Sequence, residues 1–444
     1  MTQGEMAYQD PRELLATSPM SAAQVAVVAI TVALCALDGF DVLSISFAAP
    51  GIAREWGIDR AALGVVLSME LIGMVIGSLL VGALADRSGR RGTMLGCLAV
   101  MALGMAMVSG VRSVAALSAW RVVTGLGVGG MIPTLNAVAT EFSSTRRRDL
   151  SVALMSCGYP VGVIIGGSCA ALLLGRGNWR AVFGFGACVT TAMIPLVAWV
   201  VPESVAWLCQ QQPARALQRL NRSLARLGYA AAARLPPAAP LRRVPLSAIF
   251  QRELRATTVL TTLAYFLHIT TYYFVLKWVP KIVVDMGFTQ AAAAGVLVWA
   301  NVGSVTGGTL VGLLSRRVGV KSLTMAFMVA AALMVTVFGL GWPKLLQLSV
   351  VCALTGFCAH GAVVGLFAIL ARCFPTSTRA TGTGFAIGVG RGGAVVALIV
   401  SGFLLRAGFG LPLIALTMGM GSLLAALALA LLRSKYLRRA AAPA

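Results

Sequence analysis

Runs of about twenty apolar residues recur along the chain with short polar breaks between them, the length a helix needs to cross a bilayer at 1.5 Å per residue. Twelve spans are read near 22–49, 62–84, 93–110, 115–139, 151–175, 181–201, 257–279, 291–314, 322–341, 346–371, 380–404 and 413–432. No stretch alternates with the ten-residue period of a lipid-facing barrel strand, so the pattern predicts helices. Sliding the chain by 230 positions sets Gly77, Gly82, Leu84 and Gly89 over Gly307, Gly312, Leu314 and Gly319, and Gly158 and Gly162 over Gly388 and Gly392. The expected fold is an all-α polytopic membrane protein of twelve transmembrane helices arranged as two six-helix parallel repeats.

The polar breaks divide the chain into a tail over 1–21, a six-helix bundle over 22–201, a central loop over 202–256, a second bundle over 257–432 and a tail over 433–444. Within the central loop Arg215, Arg219, Arg222 and Arg226 recur at helical spacing before Pro236, Pro237, Pro240 and Pro245. That reads as a basic helix on the membrane surface followed by an extended tether.

Composition agrees: 58% of the residues are hydrophobic and 11% charged, well below the roughly 25% charged of soluble domains. A net charge of +22 could suggest nucleic acid, but its placement argues otherwise. The tails and alternate breaks on one side hold 25 of the 36 Lys and Arg, the other side holds 8, and 3 lie within spans. Such a bias orients the chain with both termini in the cytoplasm. No basic face interleaved with aromatics accompanies it, so nucleic acid is not an expected partner. Residues 1–20 lack a basic start and a cleavage site and read as a retained tail. The nine Cys show no CxxC and no ligand spacing with His, so no metal and no cofactor is expected. A nucleophile with its base is also missing, which argues against an enzyme.

Ionisable groups inside spans carry the functional reading, because each is costly there unless paired or hydrated. They are Asp38, Asp41, Glu70, Arg121, His268, Lys277, His360 and Arg391. Asp38 and Asp41 lie three apart on one helix face. Proximity and burial both oppose ionising the two together, which suits proton coupling. Arg391 lies about 11 residues into its span, near half depth, where a guanidinium can grip a carboxylate with two parallel bonds. Arg121 is the second candidate for that contact, or an ion-pair partner of Asp41 or Glu70. His268 aligns with Asp38 in the repeat and can bond a ring substituent or a neighbouring helix. Phe40, Tyr159, Phe266, Tyr272, Tyr273 and Trp299 are candidate walls for an aromatic ring.

The loop GALADRSGRR (Gly82 to Arg91) resembles the signature loop of the major facilitator superfamily, GxLaDRxGRR. The resemblance implies the major facilitator fold and a gating role for Gly82, Asp86, Arg87, Gly89, Arg90 and Arg91. Charge-assisted bonds at a helix end can hold in one conformer and break in another. A degraded copy, GLLSRRVGVK (Gly312 to Lys321), has Arg316 where Asp86 stands in the first. DGFD (Asp38 to Asp41) is similar to the first-span DGxD motif of the aromatic acid:proton symporter branch, in which both aspartates are required. The sequence from Arg121 to Glu141 resembles that branch's fourth span, Pro202 to Trp207 the end of its sixth, and Arg379 to Ala394, with Arg391, its eleventh. Glu141 joins the gating set on this resemblance. Ala397 and Leu398 replace the usual Gly and Pro, and Glu70 and Lys277 are not general features of the branch.

The resemblance implies import of an aromatic carboxylate of benzoate, hydroxybenzoate or phenylpropionate type by proton symport through alternating access. The protein would act as a monomer in the lipid bilayer, with an organic anion and protons as its partners. Alternatives are a non-aromatic acid such as muconate, a proton-antiport exporter, or a transporter-like sensor.

Overall fold

The computed structural model describes residues 10–237, 245–315, 317–375 and 378–432; of residues 82, 83, 86 and 380 the backbone alone is described. Twelve helices among these are long and apolar enough to cross a membrane: Ala22–Trp56, Arg60–Val81, Arg90–Ser109, Val114–Glu141, Arg148–Leu174, Arg180–Val200, Arg255–Asp285, Gln290–Leu314, Val320–Gly339, Leu345–Cys373, Thr381–Arg406 and Leu411–Leu431. They are called the first to twelfth spans. No strand occurs among the described residues.

Local chemistry sets the ends. Ser21 and Gln24 form a reciprocal capping box at the first span, and Asp59, Ser113 and Thr289 accept the orphan amides of the second, fourth and eighth, relieving donors that cannot be met within a helix. Gly57 ends the first span in the left-handed conformation at φ +59°, where glycine escapes the steric penalty of a side chain. That first helix is longer than the sequence reading of 22–49 and runs 35 residues to Trp56. Pro50 lies inside it, and its broken backbone bond is tolerated within a bundle.

The two halves repeat one plan. In each, the second helix packs on the fourth, the third on the fourth and sixth, and the first on the fifth. Large apolar side chains such as Leu79, Leu172 and Trp199 remain on the outer surface, as a lipid-facing surface requires.

Between halves, the second span meets the eleventh and the fifth meets the eighth. A Cβ on Gly64 would strike the Leu398 carbonyl and one on Gly167 would strike Val298. The hydrogen bonds and ion pairs described between the bundles also lie in this half of the membrane, away from the arginine-rich loops. Arg60 bonds Asp285 at 3.2 Å and the Leu405 carbonyl at 3.4 Å, and Arg406 pairs with Asp59 at 3.3 Å. Above them an open recess of about 780 Å³ includes Arg54, Arg60 and Lys281 in its lining. The bundles are thus joined on the face opposite the basic loops.

Two segments read as tails or tethers are docked. Residues Pro11–Thr17 form a short helix capped by Asp10, whose carboxyl is held below the usual range by a hydrogen bond from Arg12. Leu15 of this helix is buried, and the Ala16 carbonyl accepts from the Thr145 amide at 2.9 Å. In the central loop, Val205–Gln211 and Ala216–Leu227 are helices. Leu220, Leu224 and Leu227 of the second are buried while Arg219, Arg222 and Arg226 face outward. Tyr229 beyond it bonds Gln24 at 2.8 Å. The basic helix read from sequence is present, but it packs on the protein; part of the proline-rich stretch, 238–244, lies outside the described residues.

Candidate functional site

Close backbone approach builds the centre of the N-terminal bundle. Gly73 on the second span and Gly125 on the fourth lie against each other, and a Cβ on either would collide with the opposing backbone at Val122 or Glu70; small residues allow such contact. Glu70 precedes Gly73 by three residues and Arg121 precedes Gly125 by four, so both side chains rise from the contact faces at one level. Their side chains form an ion pair between Arg121 Nη2 and Glu70 Oε2, both fully buried. Arg121 Nη2 also donates to the Asp41 carbonyl at 3.0 Å, and its guanidinium lies 5.6 Å from the centre of the Phe183 ring. Arg121, offered by sequence as a second contact for a substrate carboxylate, is therefore already engaged by Glu70.

Lys277 reaches this pair from the other bundle. Its Nζ lies 3.5 Å from Glu70 Oε2 and donates a short bond to the Val42 carbonyl on the first span. All three charged side chains are excluded from solvent. Sequence alone offers Glu70 as one of two ion-pair partners for Arg121, the alternative the structure realises, and gives Lys277 no role. A usable signal was there: the Glu70–Gly73 and Arg121–Gly125 spacings set a carboxylate and a guanidinium on paired glycine faces.

Asp38 and Asp41 are buried in the first span, and among the described residues neither carboxylate receives a hydrogen bond. A buried polar group without partners is expensive, and far more so when charged. A Cβ on Gly186 of the sixth span would lie 3.4 Å from Asp41 Oδ1. Phe40, between them in sequence, points into its own bundle, where its ring meets Phe185 edge-on at 5.5 Å and fills the space beside Gly166. It is a packing residue here and does not line the gap between bundles.

Across that gap Tyr159 on the fifth span and Tyr273 on the seventh lie near enough for their side chains to interact. Tyr273 also lies near Arg391, as does Tyr265. Arg391 sits within the eleventh span where the hydrogen bonding tightens locally, its amide donating to the Ile387 carbonyl at 3.0 Å and its carbonyl accepting from the Ala394 amide three residues on, while its backbone stays helical at φ −59° and ψ −25°. Gly390 packs on the Tyr265 ring and Gly393 on the Phe266 backbone, so the glycines around Arg391 seat this helix directly on the seventh span. The guanidinium is partly exposed, and no hydrogen bond or ion pair is described for it. Gly384 and Gly388 share its helix face by spacing, and both look onto open space.

His268 is engaged elsewhere. Its Nδ1 meets Ser422 Oγ and its Nε2 the Ala359 carbonyl, both at 2.9 Å, tying the seventh span to the twelfth and tenth. Both ring nitrogens are thereby used, and His268 is withdrawn from the substrate set. Tyr272 bonds His360 at 3.0 Å. Trp299 is 53% exposed on the outer surface, so it is no wall of a central cavity.

On the basic face the signature loop is clasped from two sides. Gly89 turns the chain at φ +89°, a conformation glycine adopts without strain. Glu203 Oε1 accepts the amides of Arg90 at 2.8 Å and Arg91 at 3.2 Å, placing a carboxylate at the positive end of the third span. Glu141 accepts from Arg90 Nη2 at 3.2 Å and from Ser204 Oγ at 2.5 Å, while Arg91 donates to the Ala198 carbonyl at 2.5 Å. Arg87 is exposed in the last turn of its helix. The Asp86 side chain, the surroundings of Gly82 and Arg316 of the second loop lie outside what is described.

Known proteins show the same plan. The Major Facilitator Superfamily profile matches residues 30–340. A gallate transporter from Pseudomonas putida is 31% identical, the match covering 98% of this chain and 97% of that protein. A 3-(3-hydroxy-phenyl)propionate transporter from Escherichia coli strain K12 is 30% identical over 92% of this chain and 95% of its own. Among solved structures, a partially occluded inward open conformation of the xylose transporter XylE from E. coli superposes with a TM-score of 0.72 at 16% identity, covering 94% of this chain and 99% of that one. With its twelve spans in two repeated bundles, its charges gathered between them and this match over most of its length, the chain belongs to the Major Facilitator Superfamily and is a multi-pass membrane transporter.

Proposed function

We propose that the protein imports an aromatic carboxylate together with protons, alternately exposing a central site to each face, with the basic face and both termini in the cytoplasm of a bacterial inner membrane. One observation carries this reading: the Arg391 guanidinium lies without an ion pair beside Tyr265 and Tyr273 in one bundle, while the other bundle buries two carboxylates without hydrogen-bond donors. A guanidinium in that position supplies two parallel donors to a carboxylate, and the phenol rings supply flat apolar walls with polar edges. Relatives named for gallate, 4-hydroxybenzoate and 3-(3-hydroxy-phenyl)propionate transport support the substrate class.

Asp38 and Asp41 are assigned the protons. An uncompensated carboxylate in a dry bundle is relieved by protonation, so a proton taken up on one face and lost on the other turns the gradient into work. That work amounts to about 1.4 kcal/mol per pH unit and ~2.3 kcal/mol per net charge per 100 mV. Arg90, Arg91 and Glu141, with the rest of the signature loop, are assigned to gating.

The test is uptake into reconstituted vesicles under an imposed inward proton gradient, with benzoate, hydroxybenzoates, gallate, phenylpropionates and muconate as candidate cargo. Accumulation of an aromatic acid that collapses with a protonophore is expected. Accumulation of muconate alone would displace the aromatic assignment, and gradient-independent equilibration of every acid would remove proton coupling.

A further inference from the structure

The joined face of the molecule contains one buried ionic link between bundles, among the described residues, and it involves neither aspartate of the first span. Lys277 on the seventh span extends across the interface to Glu70 and to the Val42 carbonyl, with all of its side chain out of solvent. The other described ionic contacts between bundles, Arg60 with Asp285 and Arg406 with Asp59, are exposed at the surface, where such pairs contribute ~0–1 kcal/mol.

We propose that Lys277 is a positioning residue, its ammonium tying the C-terminal bundle to Glu70 and thereby holding the transporter closed on the face opposite the basic loops. Three features fit that role. Glu70 is anchored in its own bundle by Arg121, so the carboxylate is a fixed receptor and Lys277 the removable part. The Val42 carbonyl gives the ammonium a second acceptor on a different helix of the same bundle. Finally, separating the two spans would leave Lys277 without either partner, while Glu70 would still be neutralised by Arg121. The cost of opening this face is therefore concentrated on one lysine. A charge pair that forms in one conformer and breaks in the other shifts the population only by its differential contribution, and this pair is confined to the closed form.

The idea rests on alternating exposure but not on which acid is carried, and it can be read without substrate. Two reporter cysteines would be placed singly in a variant with the native cysteines replaced. Leu398→Cys lies in the sealed interface beside Gly64, and Gly384→Cys lies on the Arg391 face with open space beyond it. A membrane-impermeant maleimide is then applied to either side of oriented vesicles.

Lys277→Met is expected to speed labelling at Leu398→Cys tenfold or more and to slow labelling at Gly384→Cys, a reciprocal change that general destabilisation would not produce. Glu70→Gln should act in the same direction, and the double variant Lys277→Gln, Glu70→Gln should show no more than the larger single effect. If Lys277→Met fails to insert, the double variant, which strands no lysine opposite a lost carboxylate, decides alone. Labelling at the starting rate in both positions would overturn the proposal, and so would a rise at both positions together. Failure of acid uptake with the reciprocal labelling intact would count against the assigned cargo and leave the tie standing.

Discussion

The two bundles share a helix plan and differ in what they bury. The N-terminal bundle encloses Asp38, Asp41, Glu70 and Arg121, whereas the C-terminal bundle carries Lys277, Arg391, His268 and His360. The repeat offset sets His268 over Asp38, but the imidazole is a satisfied bridge between three helices while the carboxylate lacks a donor. Equivalent positions thus became a rigid strut in one half and an ionisable group in the other. The loops diverge in the same sense. The first binds carboxylates of Glu141 and Glu203 at the start of the third span. In the second, Lys321 donates to the Ala430 and Leu432 carbonyls at the end of the twelfth span, where the helix dipole favours a cation. One duplicated plan serves a proton-handling half and an anion-binding half in the proposed mechanism.

The sharpest way to break that division is at Arg391. Arg391→Ala is expected to abolish measurable uptake, and Arg391→Lys to weaken binding about 10- to 100-fold, or ~1.4–2.8 kcal/mol, because a lysine keeps the charge and loses the paired geometry. Equilibrium binding to the purified protein checks this; wild-type affinity in Arg391→Lys would remove the bidentate contact.

Asp41→Asn and Asp38→Asn test the other half. Each should eliminate accumulation against a gradient, and Asp41→Asn is expected to retain exchange of internal for external substrate. Full gradient-driven uptake by Asp41→Asn would take proton handling away from that residue.

His268→Ala should cost stability instead, by ~1–3 kcal/mol for two lost buried bonds, lowering Tm in detergent while the transport KM moves less than threefold. A large rise in KM with Tm unchanged would return His268 to the substrate site.

The smallest contrast lies between the loops. Glu141→Gln removes a charge-assisted clasp worth ~1.5–3 kcal/mol, whereas Lys321→Met loses a partly exposed cap worth ~0.3–1 kcal/mol. Unequal thermal shifts in that order are expected, and equal shifts would erase the distinction between the two loops.

Much of this was legible in the order of residues. Apolar run length, the 230-residue offset and the side bias of Lys and Arg specify twelve spans in two repeats, because a bilayer leaves a backbone few other ways to satisfy its polar groups. The intramembrane charges could be named as well, since each is conspicuous against its apolar surroundings. Their partners could be narrowed at most, as Arg121 was to Asp41 or Glu70. Which carboxylate Arg121 meets depends on the crossing of the second and fourth spans, and whether Lys277 reaches Glu70 depends on which face of the molecule is closed. Phe40, His268 and Trp299 were candidates by depth, but rotation about a helix axis sends one into its bundle, one to neighbouring helices and one to the lipid-facing surface. Depth and periodicity are properties of a single helix and survive in the sequence; azimuth and pairing belong to contacts between helices far apart in the chain, and only their packing sets them.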